Sequence, residues 1–127
     1  MKLLYIAGPY RAKTSAEVVG NINFAWLVAL EVVRTCPDVF PVVPHLNTQH
    51  MDGAAPDQYF LDGTMELLKR CDAILAIGDY RKSAGTLAEL EYAAKKGMPM
   101  FQSVTGVKWW NEDGFVIKDD MRKEMER

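Results

Sequence analysis

Cysteine is scarce in this chain of 127 residues: only Cys36 and Cys71 occur, and they form no Cys-x-x-Cys pair. That excludes a disulfide scaffold, suits a reducing cytoplasm, and leaves both thiols as core residues. Charge of one sign is also lacking, because 15 Lys and Arg face 17 Asp and Glu for a formal charge of -2. Bulk electrostatics therefore draws the chain neither to nucleic acid nor to an anionic membrane. The N-terminal apolar run, residues 3–7, is cut off by Gly8 and Pro9, far too short for a signal core or a membrane span. Targeting segments, internal repeats and low-complexity stretches are not evident. What remains is a 49% apolar chain of a length that builds one core; two domains would each be thin.

Residues 3–7 read as a buried parallel strand closed by a turn. From Val18 the apolar positions Ile22, Ala25, Trp26, Ala29 and Val33 recur at three and four, and Thr14 with Glu17 has capping-box spacing, so a first helix follows. Residues 38–43 are β-branched and aromatic between prolines, which predicts a second strand. Residues 44–56 show no period and form a long loop. Helical spacing returns over 58–70 through Phe60, Met65 and Leu68, and 73–77 is a third apolar strand. A helix from about Thr86 to Lys96 is stopped by Gly97, with Pro99 beyond. Residues 98–104 supply a fourth strand. Trp109, Trp110 and the charged run 118–127 belong to a tail of undetermined structure, whose tryptophans either stack on a base or cover the sheet edge.

Strands alternating with helices of this length predict a single-domain α/β protein, a Rossmann-like or flavodoxin-like three-layer sandwich with a parallel sheet of four or five strands. Ligands of such sheets sit beyond the carboxyl ends of the strands. That rule selects residues 8–13, 44–57 and 78–85, and whatever follows Ser103. The third is richest, since Ser83, Gly85 and Thr86 open a helix whose free N–H groups and dipole favour a phosphate or carboxylate. Two readings of Glu89 stay open: it reaches back to Thr86 in a capping box, or it serves chemistry. His45, His50, Asp52 and Asp57 share one loop, but their irregular spacing argues against a metal site. Asp72 reads as a turn or strand-start residue. Tyr5 is either a core tyrosine or a site residue, and Arg11 either a solvated loop residue or an anion ligand.

Taken together and in order, Leu4-Tyr5-Ile6-Ala7-Gly8-Pro9-Tyr10-Arg11, Pro44-His45, Ser83-x-Gly-Thr-x-x-Glu89, Tyr92-Ala93 and Gly97-Met98-Pro99 resemble nucleoside 2-deoxyribosyltransferases and the related 2'-deoxynucleoside 5'-phosphate N-hydrolases. The resemblance spans roughly residues 2–104. It implies that Glu89 attacks the anomeric carbon beside Tyr5; the adjacent helix start is expected to favour the ionised carboxylate this needs. It also implies that Arg11 and Ser83 hold a 5'-phosphate, with Gly8, His45, Gly85 and Thr86 lining the substrate. In the transferase branch the serine position tends to be aspartate, so Ser83 tilts the substrate towards a nucleotide. One departure stands out. The family's helix aspartate, a proton donor to the leaving base, corresponds here to Thr64; Asp62, about 200° round the helix, and Asp79 are the substitutes.

These readings give an expected function: N-glycosidic bond cleavage, or deoxyribosyl transfer, on a nucleoside or its monophosphate through a covalent intermediate on Glu89. The alternative is a non-catalytic nucleotide-binding or sensing module on the same fold. The expected domain is 1–104, with 105–127 an extension packing on it or on a partner subunit. The protein is expected to be cytoplasmic, to use no cofactor or metal, to meet neither nucleic acid nor membrane, and, by the resemblance, to form a homodimer or higher homo-oligomer.

Overall fold

The computed structural model describes residues 1–113. Strand β1 (Lys2–Ala7) is the centre of the molecule, with Leu4, Tyr5 and Ile6 wholly buried, as a parallel strand covered on both faces requires. It pairs in parallel with β2 (Val39–Val42) on one side and β3 (Ala73–Ala76) on the other, and β3 pairs with β4 (Met100–Phe101). The order β2-β1-β3-β4 is flavodoxin-like, with its switch point between β1 and β3.

Strand alternation sends Leu4, Ile6 and Leu75 to one face, where they pack with Ala25, Ala29 and Val32 of α1 (Ser15–Thr35) and Val107 and Trp110 of α5 (Val104–Asp113). Tyr5, Ala7 and Ile74 point to the other face, against Leu68 of α3 (Asp57–Lys69) and Leu90 and Ala93 of α4 (Ala84–Lys95). A single turn, α2 (Pro44–Asn47), and a 3-10 turn (Tyr80–Lys82) complete the elements. The α/β three-layer sandwich is thus as the sequence predicts.

Four details differ from that reading. Helix α1 buries Ile22, Ala25, Ala29 and Val32, leaving Trp26 and Val33 about half exposed; the small alanines let the helix lie close to the sheet. Helix α4 starts at Ala84, because the Ser83 hydroxyl accepts from the Thr86 N–H. The last described strand is only Met100–Phe101, since Ser103 caps the next helix by accepting from the Gly106 N–H at 3.3 Å. Trp109 and Trp110 therefore sit on a helix: Trp110 is buried against Phe101 at 5.4 Å with Lys2 over its ring, and Trp109 is exposed. The charged run 118–127 lies outside the described residues. Helix α1 is also long and apolar enough, by length and composition, to cross a membrane, although part of it packs in the core.

Glycine is required at the end of β1. A Cβ on Gly8 would stand 2.5 Å from Ile77 Cγ1 and 3.1 Å from the Ile77 carbonyl oxygen, and Ile77 is itself fixed by its N–H donating to Ala7 at 2.8 Å. Gly8→Ala is therefore expected to destabilise the fold by about 2 kcal/mol. Chemical denaturation checks this; an unchanged midpoint would mean that the turn relaxes freely.

Candidate active site

Period-2 alternation places the Tyr5 ring on the α3/α4 face, and helical spacing places Glu89 there too, next to the buried Thr86, Leu90 and Ala93 of α4. The Tyr5 hydroxyl donates to Glu89 Oε2. Thr64 of α3, whose hydroxyl donates to the Leu61 carbonyl at 3.1 Å, lies near enough to the Tyr5 phenol to offset part of the rise in its pKa. On α3, Thr64 lies one helical step from both Phe60 and Leu68, so all three share the inward face. The resemblance singles out position 64 as that of the family's helix aspartate, and this period agrees with its lying on the side of Tyr5.

Burial governs the electrostatics of the pair. It pushes the Glu89 carboxyl up to about 7, against a smaller opposing effect of the Tyr5 hydrogen bond. Burial, then the Glu89 charge and hydrogen bond, pushes the Tyr5 phenol far up, so the phenol keeps its proton and remains the donor. This corrects the expectation that the helix start would hold Glu89 ionised. Ser83 is the N-cap, which puts Glu89 beyond the first turn, where the dipole's effect has fallen away. Neither is Glu89 a capping residue, since Ser83 fills that role.

The remaining candidate residues fall into two groups. Arg11, Ser83 and Gly85 follow the carboxyl ends of the adjacent strands β1 and β3, and so stand at the same end of the sheet. Arg11 contacts Asp57 at 2.6 Å with both side chains exposed. Ser83 accepts from the Thr86 N–H at 3.2 Å and from the Thr86 hydroxyl at 3.0 Å. Gly85 opens onto free space. His45 is 5% exposed and donates through Nε2 to the Pro9 carbonyl at 3.0 Å, which leaves Nδ1 buried without a partner. Burial pulls its pKa down, so the ring is neutral and serves to pin the turn after Gly8. Tyr10, edge-on to His45, donates to Asp52 at 2.8 Å. The loop after β2 thus clasps the loop after β1.

The two substitute acids do not join the pair. Asp62 is exposed and accepts from Gln58 Nε2 at 2.8 Å, on the far side of α3 from Thr64. Asp79 is exposed beside Lys82 at 3.5 Å. Asp72 accepts from the Leu3 N–H at 2.7 Å, at the opposite, amino end of the sheet. His50, Asp52 and Asp57 are not gathered with His45, and no cluster of three metal-ligating side chains exists among the described residues. A hollow of about 180 Å³ lined by Phe24, Leu75, Ile77, Tyr80, Gln102 and Val104 lies on the α1 side of β3, so the chemistry-bearing pair is on the other face.

A family model described as a domain of unknown function (DUF7768) matches residues 2–103. The chain belongs to that family. No curated protein sequence matches this DUF7768 chain. Among solved structures it is similar to a conserved protein from Enterococcus faecalis V583, with TM-score 0.62 and 18% identity over 89% of this chain and 76% of that one. It is also similar to a 2-deoxyribosyltransferase from Bacillus psychrosaccharolyticus, with TM-score 0.55 and 20% identity over 77% of this chain and 69% of that one. At these identities the likeness is one of fold: a parallel sheet with helices on both faces.

Proposed function

We propose that this DUF7768 protein cleaves the N-glycosidic bond of a deoxynucleoside or its 5'-monophosphate, with Glu89 as nucleophile. The observation that carries the reading is the Tyr5–Glu89 pair: a half-buried carboxyl held by a buried phenol rather than engaged at the helix cap. The likeness of fold to a 2-deoxyribosyltransferase agrees with it. A Glu89 oxygen bonds to the anomeric carbon as the base departs with the electron pair of the broken C–N bond and takes a proton from solvent. Water then attacks the same carbon, releases a proton and frees Glu89; a second base in place of water gives transfer. Tyr5 orients the carboxylate and balances its burial.

Release of free base from a panel of deoxynucleosides and monophosphates tests the reading. Appearance of base supports it, and its absence across the panel, with binding retained, favours a nucleotide-binding module instead. That second reading has its own support, because Asp62 and Asp79 are exposed and engaged with Gln58 and Lys82.

In the proposed complex Arg11 leaves Asp57 for the substrate phosphate, near the open start of α4. Arg11→Ala is then expected to raise KM for the monophosphate about tenfold or more, while the nucleoside KM stays within about twofold. Equal changes for both substrates would show that Arg11 does not read phosphate.

A further inference from the structure

We propose that the bond cleaved joins deoxyribose to a base that already carries positive charge, an N-glycosyl pyridinium or an N-alkylated purine, in the nucleoside or its 5'-monophosphate. The proposal rests on the reading of Glu89 as nucleophile and names the leaving group that this site can release. A neutral base departs with the electron pair of the C–N bond as an anion unless a proton reaches it in the transition state. A positioned acid that supplies the proton speeds such a step by about 10²–10⁴-fold. A cationic base departs neutral and needs no proton.

The protons around Glu89 are committed elsewhere. The Tyr5 hydroxyl donates to Glu89 itself, and burial with the Glu89 charge pushes the phenol's pKa far up. Thr64 and Cys71 also bear on the Tyr5 proton. Each donates to the backbone of α3, Thr64 to the Leu61 carbonyl at 3.1 Å and Cys71 to the Leu67 carbonyl at 3.3 Å. A threonine hydroxyl is too weak an acid for the task, and burial pushes the Cys71 thiol up to about 11. Among the described residues the carboxyls of the neighbouring segments are exposed and engaged: Asp52 with Tyr10, Asp57 with Arg11, Asp62 with Gln58 and Asp79 with Lys82. None of these four bears on the Tyr5 or Glu89 proton.

With a cationic base the charges balance without a further group. As a Glu89 oxygen bonds to the anomeric carbon, the C–N pair moves onto the base nitrogen and cancels its positive charge. Carboxylate and cation thus become a neutral ester and a neutral base. Water then attacks the same carbon, releases one proton and restores the carboxylate. Before that step the half-buried Glu89 carboxylate attracts the cationic base at short range, where solvent screens the charges less than in bulk water.

The test compares 7-methyl-2'-deoxyguanosine 5'-monophosphate with 2'-deoxyguanosine 5'-monophosphate near pH 7, each corrected for its enzyme-free rate. The two differ by one methyl group and the charge it fixes on the base. Wild type is expected to release the methylated base with a kcat about a hundredfold or more above that for guanine, whereas a site with its own acid would narrow that gap. A nicotinamide deoxynucleotide is the second arm: release of one cationic base but not the other identifies which of them the site accepts, and either supports the proposal. Thr64→Asp sets a carboxyl beside the pair, which the Glu89 charge keeps protonated. It should close the gap by about tenfold or more, and Thr64→Asn, of the same size but without an acid proton, should not. Equal kcat for the two guanine nucleotides would overturn the proposal and leave Glu89 as nucleophile, and so would a gap that Thr64→Asn closes as well as Thr64→Asp. Release of base from none of the three substrates would overturn it together with the reading on which it rests.

Discussion

Glu89→Gln is expected to reduce base release by on the order of a thousandfold or more, and at the same time to make the folded protein more stable at alkaline pH. The first effect follows from chemistry, since an amide retains size and accepts the Tyr5 proton but cannot form the glycosyl ester. The second follows from burial. Folding raises the Glu89 pKa from 4.5 to about 7, so the folded state holds a proton that the unfolded state releases across that window. Wild-type stability therefore declines as pH rises from about 4.5 to 7, then levels off. Glutamine has no such loss, so the variant should match wild type near pH 4 and exceed it by about 1–3 kcal/mol near pH 8. Denaturant unfolding at both pH values and base release at one give the two readouts. A nearly fully active variant would remove Glu89 from the mechanism, whereas a variant less stable at every pH would show that its carboxylate is a structural anchor.

The parts of this architecture legible in the sequence are those fixed by local physics. The apolar run ended by Gly8-Pro9 announces β1, and Gly97, at φ 69 after the C-cap of α4, ends that helix as its position in the sequence implies. Helix α1 was legible in part. Ile22, Ala25 and Ala29 of the predicted stripe are buried, but so many positions are apolar that the period also ran through Trp26 and Val33, which are exposed, and passed over the buried Val32. Close approach selects side-chain volume, which a hydrophobicity pattern does not weigh. Helix α5 was missed because its start signal, Ser103 capping Gly106, lies inside a run that reads as strand.

The site was legible only in pieces. Tyr5 and Glu89 are 84 residues apart, and nothing in either segment states that strand alternation and helical phase bring them to one face. Their pairing was anticipated from resemblance; that the loops after β1 and β2 meet at one edge of the sheet follows from the strand order, but the particular contacts of Tyr10 with Asp52 and Arg11 with Asp57 were not anticipated. Contacts between two loops leave no periodic trace in either. The pKa of Glu89 failed for a related reason, since burial depth is a property of the assembled core.

Tyr5→Phe separates a working pair from a buried tyrosine. The ring volume is kept, so β1 should stay in place, but the proton donated to Glu89 is lost. Because that hydrogen bond lowers the Glu89 pKa against the larger effect of burial, its removal should raise the pKa further above about 7 and leave less carboxylate at neutral pH. The rising limb of the pH–rate profile should accordingly move to higher pH. Base release near pH 7 should fall by about 10- to 100-fold and recover in part above about pH 8, where the carboxyl ionises in spite of the lost donor. Folding stability should drop by about 1–2 kcal/mol at that alkaline pH, since a buried carboxylate is left short of one partner, and by less near pH 5, where Glu89 is protonated in the folded state. Two outcomes would sink the argument: a limb that stays where wild type has it, which would make Tyr5 a packing residue, or a rate loss that is equal at every pH, which would mean that the phenol acts on the substrate rather than through Glu89.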